Sequence, residues 1–197
     1  MNFFSVVLAG AILSSSINAV AETKRPTTAT KAKEDNRADP LNSLSAVQQR
    51  AANGDAIAQY DLGTRYLKGK DVKQDNAAAL AWFQQAAEKN NAEAQFMLGG
   101  MYDEGLAVAQ DFQTAAEWNL RAAEQGHAGA LYNLGMLYIV GDGVPRDLIQ
   151  AHMWFNLAAA KGNPAGVEGR KRCEAKMSQW QLGEAQALAR EWQAKYK

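Results

Sequence analysis

Cysteine is almost absent from this chain of 197 residues, which contains only Cys173. A single cysteine cannot form an intramolecular disulfide, so the folded state has to be held together by packing. Two interpretations of Cys173 are open at this stage. It is either a buried small apolar residue or a thiol that forms an intermolecular bridge.

A surplus of positive charge is also missing. Lys and Arg together number 21, Asp and Glu together number 21, and the formal net charge is +0. Proteins that bind nucleic acid usually present a basic surface that neutralises phosphates. The balanced charge therefore argues against a nucleic-acid partner.

The common motifs of catalytic and cofactor sites are missing as well. The sequence has no H-E-x-x-H zinc motif, no G-x-S-x-G nucleophile elbow, no S-x-x-K, no G-x-x-x-x-G-K phosphate loop and no C-x-x-C. Its two histidines, His127 and His152, have no regular ligand spacing to each other or to carboxylates. We therefore expect no enzyme activity, no catalytic residue, no cofactor and no metal site.

Charged side chains are absent from residues 1–21. This segment has an apolar run from Phe3 to Leu13 and ends in Ala-Val-Ala. The pattern is typical of a secretory signal peptide with an A-x-A cleavage site. A membrane anchor is the alternative, but the run is much shorter than the roughly twenty residues that a spanning helix needs. We expect a periplasmic or secreted protein with no membrane span.

What the chain does contain is a repeat of 36 residues. Three markers keep this interval: a glycine at Gly63, Gly99 and Gly135, an aspartate at Asp75, Asp111 and Asp147, and a tryptophan at Trp82, Trp118 and Trp154. A period of this length that contains two short helical patterns is typical of a helical repeat array. The sequence therefore predicts an all-α fold, an α-α superhelical solenoid of helical hairpins.

The period also divides the chain. We predict a signal peptide at 1–21, a flexible leader at 22–40, a half-repeat cap at 41–55, three repeats at 56–163 and C-terminal capping helices at 164–197. The leader has no apolar periodicity, so it cannot bury enough surface to offset its chain entropy. Its basic residues are diluted by acidic residues, which favours a solvated tether over a segment that contacts an anionic surface.

The first helix of each repeat has an apolar stripe of Ala, Leu and Tyr at i, i+4 and i+8, which predicts a core face. The stripe consists of Ala58, Leu62, Tyr66, Ala94, Leu98, Tyr102, Ala130, Leu134 and Tyr138. Gly63 and its two equivalents lie in mid-helix, where glycine costs roughly 1 kcal/mol against alanine. We expect them to allow a close approach between the two helices of a hairpin.

Turn residues follow each first helix. Gly69, Gly105 and Gly141 are predicted to end these helices in the left-handed conformation. Two positions later Gly143 has Asp71 and Ala107 as its equivalents. Alanine tolerates a left-handed backbone poorly, so we expect the turn at Ala107 to be altered or strained.

The second helix of each repeat begins after an aspartate, and we interpret Asp75, Asp111 and Asp147 as helix caps. Trp82, Trp118 and Trp154 lie among alanines on this helix. One tryptophan per repeat at a fixed position predicts a core residue, and the alternative is a stacking surface for a ligand.

Past residue 163 the repeat pattern fails. Ser178 and Gln181 form a predicted capping box, which starts a helix with an apolar stripe of Ala185, Leu188, Trp192 and Tyr196. We expect this helix to close the end of the array. A partner-binding amphipathic helix is the alternative.

The repeated segments resemble Sel1-like repeats, which are related to the tetratricopeptide repeat. The motif reads Ala-Gln-Tyr-Asp-Leu-Gly from residue 58, Ala-Gln-Phe-Met-Leu-Gly from residue 94 and Ala-Leu-Tyr-Asn-Leu-Gly from residue 130. The resemblance implies a right-handed superhelix and an adaptor or scaffold role in protein complexes. It supplies no catalytic residue, and in the tetratricopeptide superhelix the first helices line the concave face.

A second stripe on the first helices varies from repeat to repeat, at i, i+3 and i+7 and away from the core stripe. It consists of Asp61, Thr64, Lys68, Met97, Gly100, Glu104, Asn133, Met136 and Val140. Variable positions outside the core are where specificity for a protein partner would lie. The alternative is an ordinary solvated face, but we expect Met97, Met136 and Val140 to be exposed, which favours binding.

These observations favour a monomeric, non-enzymatic adaptor of the bacterial cell envelope that binds a protein partner on its concave face. One alternative is an immunity or inhibitor protein that neutralises an enzyme delivered into the periplasm. Another, which no motif supports, is an enzyme acting on cell-wall or lactam substrates.

The first prediction concerns export. Expression of the full chain in a Gram-negative host should yield a mature periplasmic protein that begins at Glu22, because the A-x-A site ends at Ala21. Mass spectrometry of the periplasmic fraction measures the mature mass. An intact Met1 in a cytoplasmic fraction would contradict the localisation.

Overall fold

The computed structural model describes residues 42–196, and within that range the chain forms nine helices and no strand. In chain order they are α1 Leu44–Ala52, α2 Ala56–Lys68, α3 Asn76–Glu88, α4 Ala92–Glu104, α5 Phe112–Glu124, α6 Ala128–Val140, α7 Leu148–Ala160, α8 Pro164–Glu174 and α9 Gln179–Lys195. The all-α prediction is confirmed. The predicted signal peptide and leader lie outside the described residues.

The helices pack in the order in which the chain makes them. Each repeat is a hairpin of a first and a second helix, namely α2 with α3, α4 with α5, and α6 with α7. Each second helix then packs against the first helix of the next unit, and α1 packs against α2 as a half-repeat. This nearest-neighbour packing is that of a helical solenoid. In the described part of the chain, no helix has the length and apolar character needed to cross a membrane.

Caps set the helix boundaries at the predicted positions. Asp75 accepts hydrogen bonds from the backbone amides of Ala77 and Ala78, both at 3.0 Å, and Asp111 and Asp147 cap α5 and α7 in the same way. Gly69, Gly105 and Gly141 end the first helices in the left-handed conformation, with φ of 66°, 68° and 91°. Both predictions are confirmed.

The turn after each first helix keeps one backbone shape in all three repeats. Gly143 has a φ of 69°, Asp71 of 62° and Ala107 of 63°. Ala107 therefore adopts the same left-handed conformation as the glycine that it replaces. The turn is strained at Ala107 rather than altered.

The mid-helix glycines provide space for a side chain of the facing helix. A Cβ at Gly63 would lie 2.8 Å from the Phe83 ring, and one at Gly135 would lie 2.6 Å from the Phe155 ring. Phe83 and Phe155 are 0% and 1% exposed. In these two repeats the predicted close approach is therefore the contact of a phenylalanine ring with the glycine backbone. The sequence analysis did not identify the two rings as core residues.

The tryptophans differ in burial, so the prediction that all three are buried core residues holds in full for one of them and only in part for the other two. Trp154 is 4% exposed, whereas Trp82 and Trp118 are half-buried at the edge of the core. The difference comes from α9, because Trp192 packs edge-on against Trp154 with ring centroids 4.6 Å apart. Trp118 has no such cover, and the Arg121 guanidinium lies 4.5 Å from its ring centroid.

The last helix begins with the predicted capping box at Ser178 and Gln181. It packs on α7, buries Ala185 and Ala189, and reaches α5 through Tyr196, whose hydroxyl donates to Glu124 at 2.9 Å. Helix α9 thus folds back along the second helices instead of extending the array beyond α8.

Cys173 is fully buried, with 0% of its surface exposed. It packs with Ala151 and Phe155 in the core beneath α8. Burial raises the pKa of the thiol to about 11, so the reactive thiolate is disfavoured. The interpretation of Cys173 as a buried small residue is confirmed.

The contact between glycine and ring predicts opposite effects for two glycine-to-alanine changes. Gly135→Ala puts a Cβ 2.6 Å from the Phe155 ring, so we expect it to lower the free energy of unfolding by about 1–3 kcal/mol. In Gly183→Ala, in α9, the new Cβ would have no heavy atom within 4 Å. We therefore expect this change to raise the free energy of unfolding by about 0.5–1 kcal/mol. Urea unfolding followed by circular dichroism measures both. Equal effects of the two changes would show that the ring contact is unimportant.

Candidate functional site

The variable stripe lies on the face formed by the first helices α2, α4, α6 and α8, which we call the first-helix face. Here α4 contacts α6 and α6 contacts α8, while successive second helices touch less. From α4 onwards the first helices are therefore closer together than the second helices, as on the inner side of a curved array. This arrangement fits the expectation that they line the concave face.

The nine predicted residues divide by accessibility. Lys68, Glu104 and Val140 are exposed, Asp61, Thr64 and Met136 are half-buried, and Met97, Gly100 and Asn133 are buried. The three exposed residues are equivalent positions 36 residues apart, and they form one accessible row along the face. The structure thus leaves six of the nine at least partly open to a partner.

The expectation that Met97 is exposed is wrong. Its side chain is only 7% exposed and belongs to the core. Asn133, its equivalent in the next repeat, is 5% exposed, and its amide donates to Asn119 Oδ1 at 3.3 Å. Both residues are therefore covered by packing between the helices of the array, which the pattern of a single helix does not indicate.

The stripe continues onto α8, which the sequence analysis treated as lying beyond the repeats. Gly169, Arg172 and Lys176 follow Asn133, Met136 and Val140 by 36 residues. The signal was available, since adding one more period to the stripe gives these three positions. It was missed because α8 lacks the Leu, Gly and Tyr of the core stripe.

A cavity of about 390 Å³ opens on this face between α6 and α8. It is lined by Tyr132, Met136, Ile139, Phe155, Ala165, Glu168, Gly169, Arg172 and Lys176. The walls are mainly apolar, and the charged residues come from α8 and the residues just after it. Three of the lining residues, Gly169, Arg172 and Lys176, are the ones that extend the stripe.

Gly169 contributes no side chain to the cavity that it lines. The equivalent residues of the earlier units, Met97 and Asn133, have buried side chains. A Cβ at Gly169 would lie 2.6 Å from the Phe155 ring. The ring therefore packs against bare backbone, and no side chain from this position closes the space beside it.

One carboxyl group of the face is buried without a partner. Asp103 is 6% exposed, and its Oδ1 has no hydrogen bond within the described residues. Burial, together with the charges of Glu104 and Asp142, raises the pKa of Asp103 to about 6. The equivalent residues are Leu67 and Ile139, so an acid occupies a position that is apolar in the other two repeats.

The histidines lie apart from this face's cavity. His127 caps α6 and contacts Glu93 at 3.2 Å, and His152, which is 1% exposed, contacts Glu174 at 3.4 Å. Burial lowers the pKa of His152. Among residues 42–196, no group of three or more His, Cys, Asp or Glu side chains could hold a metal ion.

The fold and the face together define a class of protein, a helical-repeat solenoid with an open inner surface. The family profile described as Sel1 repeat matches three segments, residues 56–91, 92–127 and 128–163. The chain belongs to the Sel1 repeat family. Proteins of this family generally mediate protein–protein interaction and are typically non-catalytic scaffolds.

Solved structures give the same fold. A protective antigen of uropathogenic Escherichia coli strains, c5321, which displays the SLR fold, is 36% identical with a TM-score of 0.73 over 80% of this chain. This alignment spans 34% of c5321, about a third of its length. A Sel1 repeat protein from Oxalobacter formigenes is 36% identical with a TM-score of 0.61, and the alignment covers 66% of this chain and 97% of that one.

A more distant structure is similar in fold alone. Helicobacter pylori cysteine rich protein B is 21% identical with a TM-score of 0.51, and the alignment covers 65% of this chain and 98% of that protein. A search of curated proteins finds no match.

The buried carboxyl predicts a pH-dependent stability. Asp103→Leu, which restores the residue found in the first repeat, should raise the free energy of unfolding at pH 7.5 by roughly 1–3 kcal/mol, because it removes an unsatisfied buried group. The pKa is raised from 3.8 to about 6, so the wild type loses stability as pH rises through this window. The gain from Asp103→Leu should therefore be smaller at pH 4.

The matched control is Asp103→Asn, which keeps the shape of the side chain and removes the titration. Its stability relative to Asp103→Leu should not change between pH 4 and pH 7.5, as measured by urea unfolding at each pH. A gain for Asp103→Leu that is the same at both pH values would contradict a raised pKa.

Proposed function

We propose that this chain is a non-enzymatic adaptor of the bacterial cell envelope, which acts as a monomer and binds a protein partner on the first-helix face. The observation that carries the proposal is the combination of the cavity between α6 and α8 with the neighbouring Val140, whose side chain is 51% exposed. An open apolar surface on a repeat scaffold is typical of a recognition site.

The variation along the face supports recognition. Its accessible row reads Lys68, Glu104, Val140 and Lys176, so charge and polarity change at each repeat. By contrast, the core positions Ala58, Leu62 and their equivalents do not change within the three repeats. Packing needs the same residues in each unit, whereas the recognition of one partner needs a specific sequence of different residues.

The expected signal peptide supports a location in the cell envelope. Cleavage after Ala21 would place the mature chain in the periplasm or outside the cell. The similarity to a protective antigen is compatible with export, because an antigen has to be reached by antibodies.

An immunity or inhibitor role would use the same face. It differs in its partner, which would be one enzyme whose activity falls on binding. The identity and activity of the captured partner therefore separate the inhibitor from the adaptor, which would associate with an envelope assembly.

Two matched double variants test the face. Glu104→Lys with Val140→Lys places two ammonium groups on the first-helix face, and Glu117→Lys with Leu120→Lys makes the same changes on α5, a second helix, where both residues are exposed. Each pair should change the free energy of unfolding by about 1 kcal/mol or less, because exposed substitutions have small effects.

The two pairs should differ in binding. With the first-helix pair, the amount of partner captured from a periplasmic extract should fall at least tenfold, because unpaired charges would be buried against the partner. With the α5 pair, the captured amount should not change. Quantitative mass spectrometry of the captured proteins measures the difference. Loss of the partner with the α5 pair alone would place recognition on the opposite face.

A further inference from the structure

Helix α8 and the residues just after it contain four cationic side chains, of which two form ion pairs within the described part of the chain and two do not. Arg170 pairs with Glu174 at 3.3 Å and Lys171 pairs with Glu168 at 3.2 Å. Arg172 and Lys176 make no ion pair with any residue of the described range 42–196. Both are exposed, and both line the cavity between α6 and α8.

The two unpaired cations stand beside apolar walls. Met136 and Ile139 of α6 and the buried ring of Phe155 form one side of the cavity, and Tyr132 lies at its edge. Burial raises the pKa of Tyr132 and the charge of Arg172 opposes this rise, so the guanidinium is close enough to act on the phenol. The cavity therefore combines apolar walls with two positively charged side chains.

The size of the cavity limits what can enter it. Ligand pockets commonly measure about 300–1,000 Å³, and this one, at about 390 Å³, is near the lower end. That volume suits one large side chain of a bound segment better than an extended cofactor. The walls select an apolar group, and the cations at the rim select a negative charge beside it.

We propose that the cavity between α6 and α8 binds a segment of the protein partner in which a large apolar side chain is followed by a carboxylate. The apolar side chain enters between Met136 and Phe155, and the carboxylate pairs with Arg172 and Lys176. This inference rests on the proposed function, since it names the part of the first-helix face that recognises the partner.

Charge complementarity favours this occupant. The only carboxylate among the lining residues is Glu168, and Lys171 already neutralises it at 3.2 Å. A charge-assisted bond from a guanidinium to a carboxylate is stronger than a neutral hydrogen bond, and Arg172 offers the planar donor that such a bond prefers. A neutral or basic segment would leave both cations without partners.

The test uses three peptides that are blocked at both ends. They are acetyl-Gly-Ser-Phe-Asp-Gly-Ser-amide, its Phe-Asn counterpart and its Ala-Asp counterpart. The protein carries methyl-labelled methionine, so the signal of Met136 reports on the cavity while buried Met101 and Met153 serve as internal controls. Nuclear magnetic resonance titration then gives a dissociation constant for each peptide.

We expect the Phe-Asp peptide to shift the Met136 signal and to bind at least fivefold more tightly than either counterpart. In the double variant Arg172→Ala with Lys176→Ala, the preference for Asp over Asn should disappear while the preference for Phe over Ala remains. Ala165→Phe, which adds a side chain at the lining of the cavity, should remove the preference for Phe.

The control double variant Lys70→Ala with Lys73→Ala removes the same two charges from the turn after α2, where both lysines are exposed. It should bind all three peptides like the wild type. Equal affinity of the wild type for the three peptides, or equal loss in both double variants, would overturn the proposal.

Three further outcomes also decide it. If sedimentation shows that the chain self-associates and that Arg172→Ala with Lys176→Ala abolishes this, the occupant is a second copy and the proposal is wrong. If this variant captures the envelope partner normally while Glu104→Lys with Val140→Lys does not, the cavity proposal fails and the proposed function stands. If neither variant affects capture, both fail.

Discussion

The structure depends on the contact between a buried side chain and the glycine backbone of the facing helix, and this side chain is a phenylalanine ring in the first and last repeats and Asn119 in the middle one. In the last repeat Phe155 lies against Gly135 of its own hairpin, and a Cβ at Gly169 of the next helix would also lie within 2.6 Å of this ring. One ring therefore fixes the distances of both α6 and α8 from α7. Glycine in mid-helix costs roughly 1 kcal/mol, and the burial of a whole aromatic side chain offsets it.

This packing explains the position of the candidate site. Met97 and Asn133 are buried side chains in the earlier units, whereas α8 has Gly169 at that position, where a Cβ would lie 2.6 Å from the ring of Phe155. No side chain from this position enters the space between α6 and α8. The candidate cavity therefore lies where the last hairpin joins the unit that follows it.

The sequence predicts those parts of the structure that repeat. Helix caps such as Asp75 and left-handed ends such as Gly69 depend on local chemistry, and the interval of 36 residues marks each one three times. Burial of the stripe depends on the approach of neighbouring repeats, which helical spacing alone does not give. Met97 and Trp118 show this, since the first is buried in the core although it lies off the predicted core stripe, and the second lacks the cover that Trp192 gives to Trp154.

Helices α8 and α9 contribute to different faces of the array. Helix α9 folds back on the second-helix side, where Trp192 covers Trp154 and Tyr196 reaches Glu124. That route leaves the residues of α8 that face the inner side, Arg172 among them, exposed. Had α9 followed α8 on the inner side, it would have buried the apolar cavity against its own Trp and Leu residues. The array is therefore stabilised on one face, and the other face remains free for a partner.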